Sequence, residues 1–563
     1  MSSFHRRVLV LVAVWFTVTA HAQDIVKVGK GSYTTKLPAG ARAPQKEIYR
    51  TDKVKGPMPT NDWWSSLAWK PFGDALFPHP LAVKAEPGGL RVAYPGANIT
   101  ANKSGIFGGM PGAPDDFTIG HSAVKEFPEA RVDGYSDWFV DLLFRKSGVP
   151  PDGSAAPAAS GGTPDFRLRT SFGHGSPFVY VTIGGGDVTL DFGKVAPKVW
   201  SGTAQDAVLG ITIGNRHYGL FAPTGSTWSD LAQSKWTVNA KGKGYFSAAV
   251  LPDNAADTLK AISDFAHNHV VETHAKWSFP KTPFAGFSAF DVQTRSYEGK
   301  QRRSVFSLYP HQRRSPVSHE HTEPPLFELD LEYHSIRGRM WLGAGTSIPL
   351  GLFSAAFLPT FPIRTTGHSE ELRALLKDDL PDKPQLVADT YWLGKQLGKW
   401  ATLLPIAEQL GDKAAAAELT RRIKASLENF FTASDASGAP KTAKDGVFYY
   451  DANWGTLIGY PASFGSDVEL NDHHFHYGYF IRAAAEIARR DAEWAKDWGG
   501  MVRLLIRDIA SADRQDPMFP FLRNFDPYAG HSWASGHAKF GDGNNNESSS
   551  EAVNAWYGLI LWA

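Results

Sequence analysis

The chain has 563 residues, 42% hydrophobic and 13% aromatic, and its 58 Lys and Arg against 57 Asp and Glu give a formal charge of +1. This apolar content excludes global disorder, the length predicts two or three domains, and near-neutrality supplies no basic face for nucleic acid. There is no cysteine, so disulfides, thiolate metal sites and a cysteine nucleophile are excluded.

At the N-terminus, His5, Arg6 and Arg7 precede an apolar run from Val8 to Val18, and Ala20–His21–Ala22 has the small-x-small form of a cleavage site. This predicts a signal peptide over 1–22, a mature chain from Gln23, export to the periplasm or medium, and no membrane association after cleavage. Over 23–270 the pattern is short β-like runs such as Phe178–Ile183, Val188–Phe192, Val208–Ile213 and Tyr218–Ala222, broken by Gly, Pro, Asn and Asp. Such spacing predicts an antiparallel β-sandwich. Ser147–Pro164, rich in Gly, Ala, Pro and Ser, reads as an exposed loop. Gly184–Gly185–Gly186 reads as a turn, since no helix follows it.

Residues 271–368 are mixed, with strands at Ser304–Leu308 and Phe327–Tyr333, and read as a connecting region. From Ser369 the apolar residues recur at three- and four-residue intervals. Helices are predicted over Glu370–Leu380, Thr390–Leu410, Lys413–Phe431, His476–Arg490, Trp494–Ala510 and Glu547–Trp562, with Gly411 as a stop. Helices joined by long polar loops suggest an α/α toroid over 369–563, with a groove at one end.

Two loop segments carry acids suited to glycoside hydrolysis, which needs a protonated carboxylic acid on the leaving oxygen and a second carboxylate. Asp472 sits beside His473, His474 and His476, and Glu547 and Glu551 lie one helical turn apart. Each has a competing role: Asp472 stands where an N-cap belongs, and Asn544-x-x-Glu547 and Ser548-x-x-Glu551 both have capping-box spacing. A pair at i and i+4 shares one face, and like charges there raise the pKa of one member. His474-x-His476 lacks a third ligand, and Asp542-x-Asn544-x-Asn546 has Glu547 where a calcium loop needs glycine, so no metal is expected. Trp454, Tyr477, Phe525, Tyr528 and Trp533 lie in these segments and suit either the core or the face of a sugar.

The chain resembles glycoside hydrolase family 81, the endo-β-1,3-glucanases, from about residue 55 to its end. The resemblance rests on Pro59–Trp64, Tyr309–His311, Asp389–Trp392, Tyr449–Asp451, Trp454–Gly455, Asn471–Phe480, His531–Gly536, Phe540–Gly543 and Glu547–Trp556. It implies an N-terminal β-sandwich, a small mixed α/β connecting domain over 271–368 and a C-terminal (α/α)6 barrel. It also implies an inverting, cofactor-free, secreted endo-glucanase, a monomer acting on β-1,3-glucan. Asp472 would be the acid, and the Glu547/Glu551 pair would contain the base, with Glu547 preferred. Substrate contacts are expected from Asp451, Trp454, His474, His476, Tyr477, Trp533 and Asp542. Family members continue beyond the last predicted helix, so a C-terminally incomplete barrel is expected. Two other classes share parts of this pattern: a polysaccharide lyase of toroid-plus-sandwich build, and a non-catalytic glucan-binding protein.

Overall fold

Alternation of apolar and polar residues in the first half builds two antiparallel sheets whose apolar faces meet. The computed structural model describes residues 24–97, 99–102, 105–108, 116–147, 165–194, 196–278, 285–313, 327–353, 368–380, 389–541 and 543–563. The expected signal peptide, nearly all of the expected loop at 147–164, and Asp542 lie outside these residues.

One sheet has eight strands, in the spatial order Lys198–Ser201, Val208–Ile213, Arg216–Phe221, Tyr245–Leu251, Phe178–Gly184, Asp165–Gly173, Phe139–Ser147 and Ala130–Tyr135. The other has six: Thr227–Ser229, Lys235–Asn239, Val188–Asp191, Phe117–His121, Gly89–Ala93 and Ala82–Glu86. Register follows burial. Arg167 and Arg169 pair with Arg145 and Leu143 on the outer face, while Phe166, Leu168 and Phe144 turn inward. The inner faces bury Trp138, Phe144, Leu168 and Tyr180 with Leu90, Ile119, Leu190 and Val238 in one core.

The connecting region differs from the mixed α/β expectation. Its described residues form two three-stranded sheets, and the described helix within it is the single turn Pro310–Arg313. Phe290, Phe306, Met340 and Leu342 join the sandwich core, and the expected boundary at 270 falls inside the strand Asn268–Ser278. The first strands also depart from the sandwich assignment. Ile25–Val28 and Gly31–Thr34 pair with each other and continue into Val447–Asp451 and Thr456–Tyr460 within the C-terminal half. Ser32 N–H donates to the Phe431 carbonyl at 2.7 Å, and Tyr33 belongs to the helical core.

That half contains the helices Ser369–Asp378, Thr390–Gln409, Lys413–Phe430, His473–Ala488, Ala492–Ala510 and Ser549–Trp562. His473–Ala488 is the central one. Every residue from His473 to Ile487 is buried, because four helices surround it: Thr390–Gln409, Lys413–Phe430, Ala492–Ala510 and Ser549–Trp562. Gly478 permits the closest crossing, since a Cβ there would meet Ala555 Cβ at 2.5 Å and its Cα at 2.8 Å. Gly478→Ala is therefore expected to lower the melting temperature. Overpacking costs about 1–3 kcal/mol, more than the ~1 kcal/mol that alanine gains over glycine in a helix; thermal denaturation checks this.

Candidate active site

The central helix begins on a strained residue. Asp472 has φ 61° and ψ 11°, in the left-handed region, and its carboxylate makes no capping hydrogen bond. Its backbone is pinned instead: the N–H donates to Ala534 O at 2.8 Å, and the carbonyl accepts from Phe475 N at 2.9 Å and His476 N at 3.0 Å. Asp472 thus holds the expected N-cap position with its backbone, but its side chain does not cap.

The Asp472 carboxyl faces inward, with the residue 7% exposed. Oδ2 accepts from Asn471 Nδ2 at 2.5 Å, and Oδ1 is buried without a hydrogen-bond partner. Burial first, and then the charges of Glu547 and Glu551, push its pKa up to about 8. The Asn471 hydrogen bond opposes this only in part. The group therefore holds its proton at neutral pH, as an acid must.

Glu551 lies in the first turn of Ser549–Trp562, and its N–H donates to the N-cap hydroxyl of Ser548 at 3.3 Å. Its carboxylate does not complete a capping box. Oε1 accepts from Tyr479 Oη at 2.7 Å, Tyr391 Oη at 3.1 Å and Lys395 Nζ at 3.2 Å. Tyr391 and Lys395 sit one turn apart on Thr390–Gln409, and Tyr479 comes from the central helix, so three helices converge on one oxygen. Asp389 fixes the start of Thr390–Gln409, accepting from Tyr391 N at 3.0 Å, Trp392 N at 2.9 Å and Ser463 Oγ at 2.9 Å. Glu547 precedes the last helix, exposed, with φ 55°. Its pKa is raised by burial of the carboxyl and by Glu551. The three carboxylates thus form one electrostatic cluster: Asp472 holds its proton, Glu551 accepts from two hydroxyls and an ammonium, and Glu547 stands at the surface with its carboxyl partly desolvated.

The histidines support this geometry from inside. His473 places Nδ1 on Asp508 Oδ2 at 2.8 Å and Nε2 on Ser466 O at 2.9 Å. Asp508, fully buried, also accepts from Thr456 Oγ1 at 3.0 Å and Leu457 N at 2.9 Å, and lies 3.4 Å from Arg523. Arg523 and His473 hold its carboxyl below the usual range against the cost of burial. Asp508→Ala would leave Arg523 buried without its anion and His473 Nδ1 without its partner, and a loss of about 3–5 kcal/mol is expected in denaturant unfolding. His474 and His476 are kept neutral, burial pushing each down to about 3. His476 Nδ1 meets Thr390 Oγ1 at 2.8 Å, and the His474 ring packs 4.0 Å from Phe475.

Several expected substrate contacts are structural. Trp454 has no exposed surface; its ring lies on Trp69 at 4.1 Å and its Nε1 donates to Gln45 O at 2.7 Å. Tyr477 is buried and ties the central helix to a strand, donating to Leu457 O at 2.8 Å and accepting from Gly459 N at 3.0 Å. Trp533 is 4% exposed, donating to Asp526 Oδ2 at 2.9 Å. Asp451 shapes the hairpin turn, accepting from Asn453 N at 2.9 Å and Trp454 N at 3.0 Å. These three rings offer no free face to a sugar. The free faces belong to Trp392, 49% exposed, and Phe464, 60% exposed, which flank Tyr391 at ring distances of 5.2 and 5.0 Å. Sequence reasoning missed Tyr391, Lys395, Tyr479, Trp392 and Phe464 as site residues. The i, i+4 spacing of Tyr391 and Lys395 was the available signal.

The glycosyl hydrolase family 81 C-terminal domain profile matches residues 367–563. A glucan endo-1,3-β-D-glucosidase of Acetivibrio thermocellus is 44% identical over 532 residues, 93% of this chain and 64% of that protein. The enzyme of the same name from Thermobifida fusca is 39% identical over 553 residues, 95% of this chain and 67% of that one. The chain thus spans about two thirds of the length of these relatives. A solved structure of a mutant family 81 glycoside hydrolase from Clostridium thermocellum superposes with a TM-score of 0.85 at 43% identity, over 96% of this chain and 71% of that one. Identity of this level across sandwich and helices together means that the chain belongs to glycosyl hydrolase family 81.

Proposed function

We propose that this protein is a secreted endo-β-1,3-glucanase that cleaves its substrate with inversion of configuration. The observation that carries the reading is the buried carboxyl of Asp472, held protonated by desolvation and by two neighbouring glutamates. Asp472 gives its proton to the glycosidic oxygen as the C1–O bond breaks. Water forms the new bond to C1 from the opposite face and passes a proton to Glu547. Glu547 suits the base role because it is open to solvent. Glu551, with Oε1 taken by three donors, suits a supporting role: after burial and Glu547, it adds to what holds the proton on Asp472.

The names of the relatives supply the linkage, and the exposed rings of Trp392 and Phe464 supply stacking surface at the rim. The chemistry needs no cofactor, and the proposed protein acts as a monomer. Reducing ends released from laminarin, a mixed-linkage glucan and a β-1,4-glucan test the substrate. Rapid release from laminarin, with little from the β-1,4 chain and no ultraviolet-absorbing product, is expected. Preferential release from the β-1,4 chain, or an unsaturated product, would refute the reading.

A further inference from the structure

A cavity of about 760 Å³ opens between the sandwich side of the molecule and the loop that follows helix Ala492–Ala510. One wall is formed by residues 53–62, Asp133–Asp137, Glu272 and His274, the other by residues 514–527. Asp472, Glu547, Glu551, Tyr391 and Tyr479 do not line it. We propose that this crevice is a second saccharide-binding site, taking a segment of β-glucan chain against the exposed rings of Tyr135 and Trp277. The choice of glucan rests on the function proposed above.

Two aromatic rings are partly open at the crevice. Tyr135 is 38% exposed. Phe521 carries Trp277 stacked on it at 6.0 Å and 15° and the Arg514 guanidinium 3.9 Å from its ring centre, so the open ring beside the cavity is that of Trp277, 42% exposed and just outside the lining. Aromatic faces of this kind match the C–H face of a pyranose.

The polar groups beside these rings are fixed before any ligand arrives. Asp137 accepts from Arg514 Nε at 3.2 Å and Ala275 N at 2.6 Å, and Arg514 also donates to Ala275 O at 2.8 Å. His274 lies 2.9 Å from Glu272. The loop wall is braced in turn, because Asp516 accepts from Arg507 Nε at 2.8 Å and from Met518 N at 2.9 Å. Such preorganisation lowers the entropic cost of binding.

Charge selects among ligands. The lining holds four Lys and Arg against five Asp and Glu. Of the five, Asp62 is kept well above the usual carboxylate range by burial and by the charge of Asp526. The formal charges of the lining are thus close to balanced, which favours neither an anion nor a cation. What remains is an array of donors and acceptors beside aromatic faces, which suits an uncharged polyol.

The test compares parent, Trp277→Ala and Trp277→Ala/Tyr135→Ala proteins. In an Asp472→Asn background, retention on insoluble β-1,3-glucan is measured with cellulose as control. In the active background, turnover is measured on a soluble β-1,3-linked hexasaccharide and on the insoluble glucan. The expected results are retention weakened about fivefold or more, the effect of losing one stacked ring, with hexasaccharide turnover unchanged and insoluble-glucan turnover reduced several-fold. Unchanged retention would overturn the proposal, and so would a parallel fall in hexasaccharide turnover. Trp277→Ala alone, at an exposed position, decides the matter if the double variant melts early. Should the parent bind β-1,3-glucan through these rings yet hydrolyse none, the proposed function fails while the crevice stands.

Discussion

Asp472→Asn is expected to reduce kcat on β-1,3-glucan by about a thousandfold, within the range for loss of a general acid, while leaving glucan binding intact. The same variant is expected to be more stable than its parent at pH 8. In the unfolded chain an aspartate releases its proton near the model value of 3.8, whereas the folded protein keeps it up to about 8. Between those values the folded state binds the extra proton. Stability from this group is thus fully present below the unfolded pKa and is lost as pH rises through the folded one, at about 1.4 kcal/mol per unit. Asparagine has the same shape and no proton to lose. The melting temperatures of variant and parent should be close near pH 4 and diverge in favour of the variant by pH 8; parallel curves would contradict the environment assigned to Asp472. A gain in stability with a loss of activity is a signature that a merely structural residue would not give.

Glu551→Gln should act through charge more than through contact. The carboxylate of Glu551 raises the pKa of both Asp472 and Glu547. Its removal should move both limbs of the kcat/KM profile to lower pH, since the acid would deprotonate earlier and the base would stay ionised further into acid. An amide oxygen still accepts from Tyr391 and Tyr479, so the loss at the optimum should be about tenfold, equivalent to ~1.4 kcal/mol. Glu547→Gln, by contrast, should cost about 10²–10⁴-fold and remove the acid limb. A larger loss for Glu551→Gln than for Glu547→Gln would reverse the two roles.

What the sequence made legible follows from periodicity. Short apolar and β-branched runs broken by Gly, Pro, Asn and Asp mark strands such as Phe178–Gly184 and Val208–Ile213, and three-to-four spacing marks Thr390–Gln409 and Lys413–Phe430. The central helix was placed three residues late, at His476 instead of His473, because it is buried on every side and its start shows no amphipathic edge. The acids were visible as residue types, but the arrangement that sets their states was not. A positive φ at Asp472 has no mark in sequence. The donors on Glu551 come from positions 72, 156 and 160 residues away. Aromatic residues in loops give no means to separate core from cleft wall: Trp454, Tyr477 and Trp533 suit either from sequence and are buried, whereas Trp392 and Phe464 are exposed. Composition likewise could not show that Gly31–Thr34 crosses to the helical half, since that depends on partners about 400 residues away, among them Tyr449 for Thr34 and Phe431 for Ser32.

The most direct measurement is the anomeric configuration of the first product, followed by proton NMR during hydrolysis of a β-1,3-linked oligosaccharide. With Asp472 as acid and a water held by Glu547 on the opposite face, the α-anomer must appear first and mutarotate afterwards. Initial release of the β-anomer would mean a covalent intermediate, and would contradict the account.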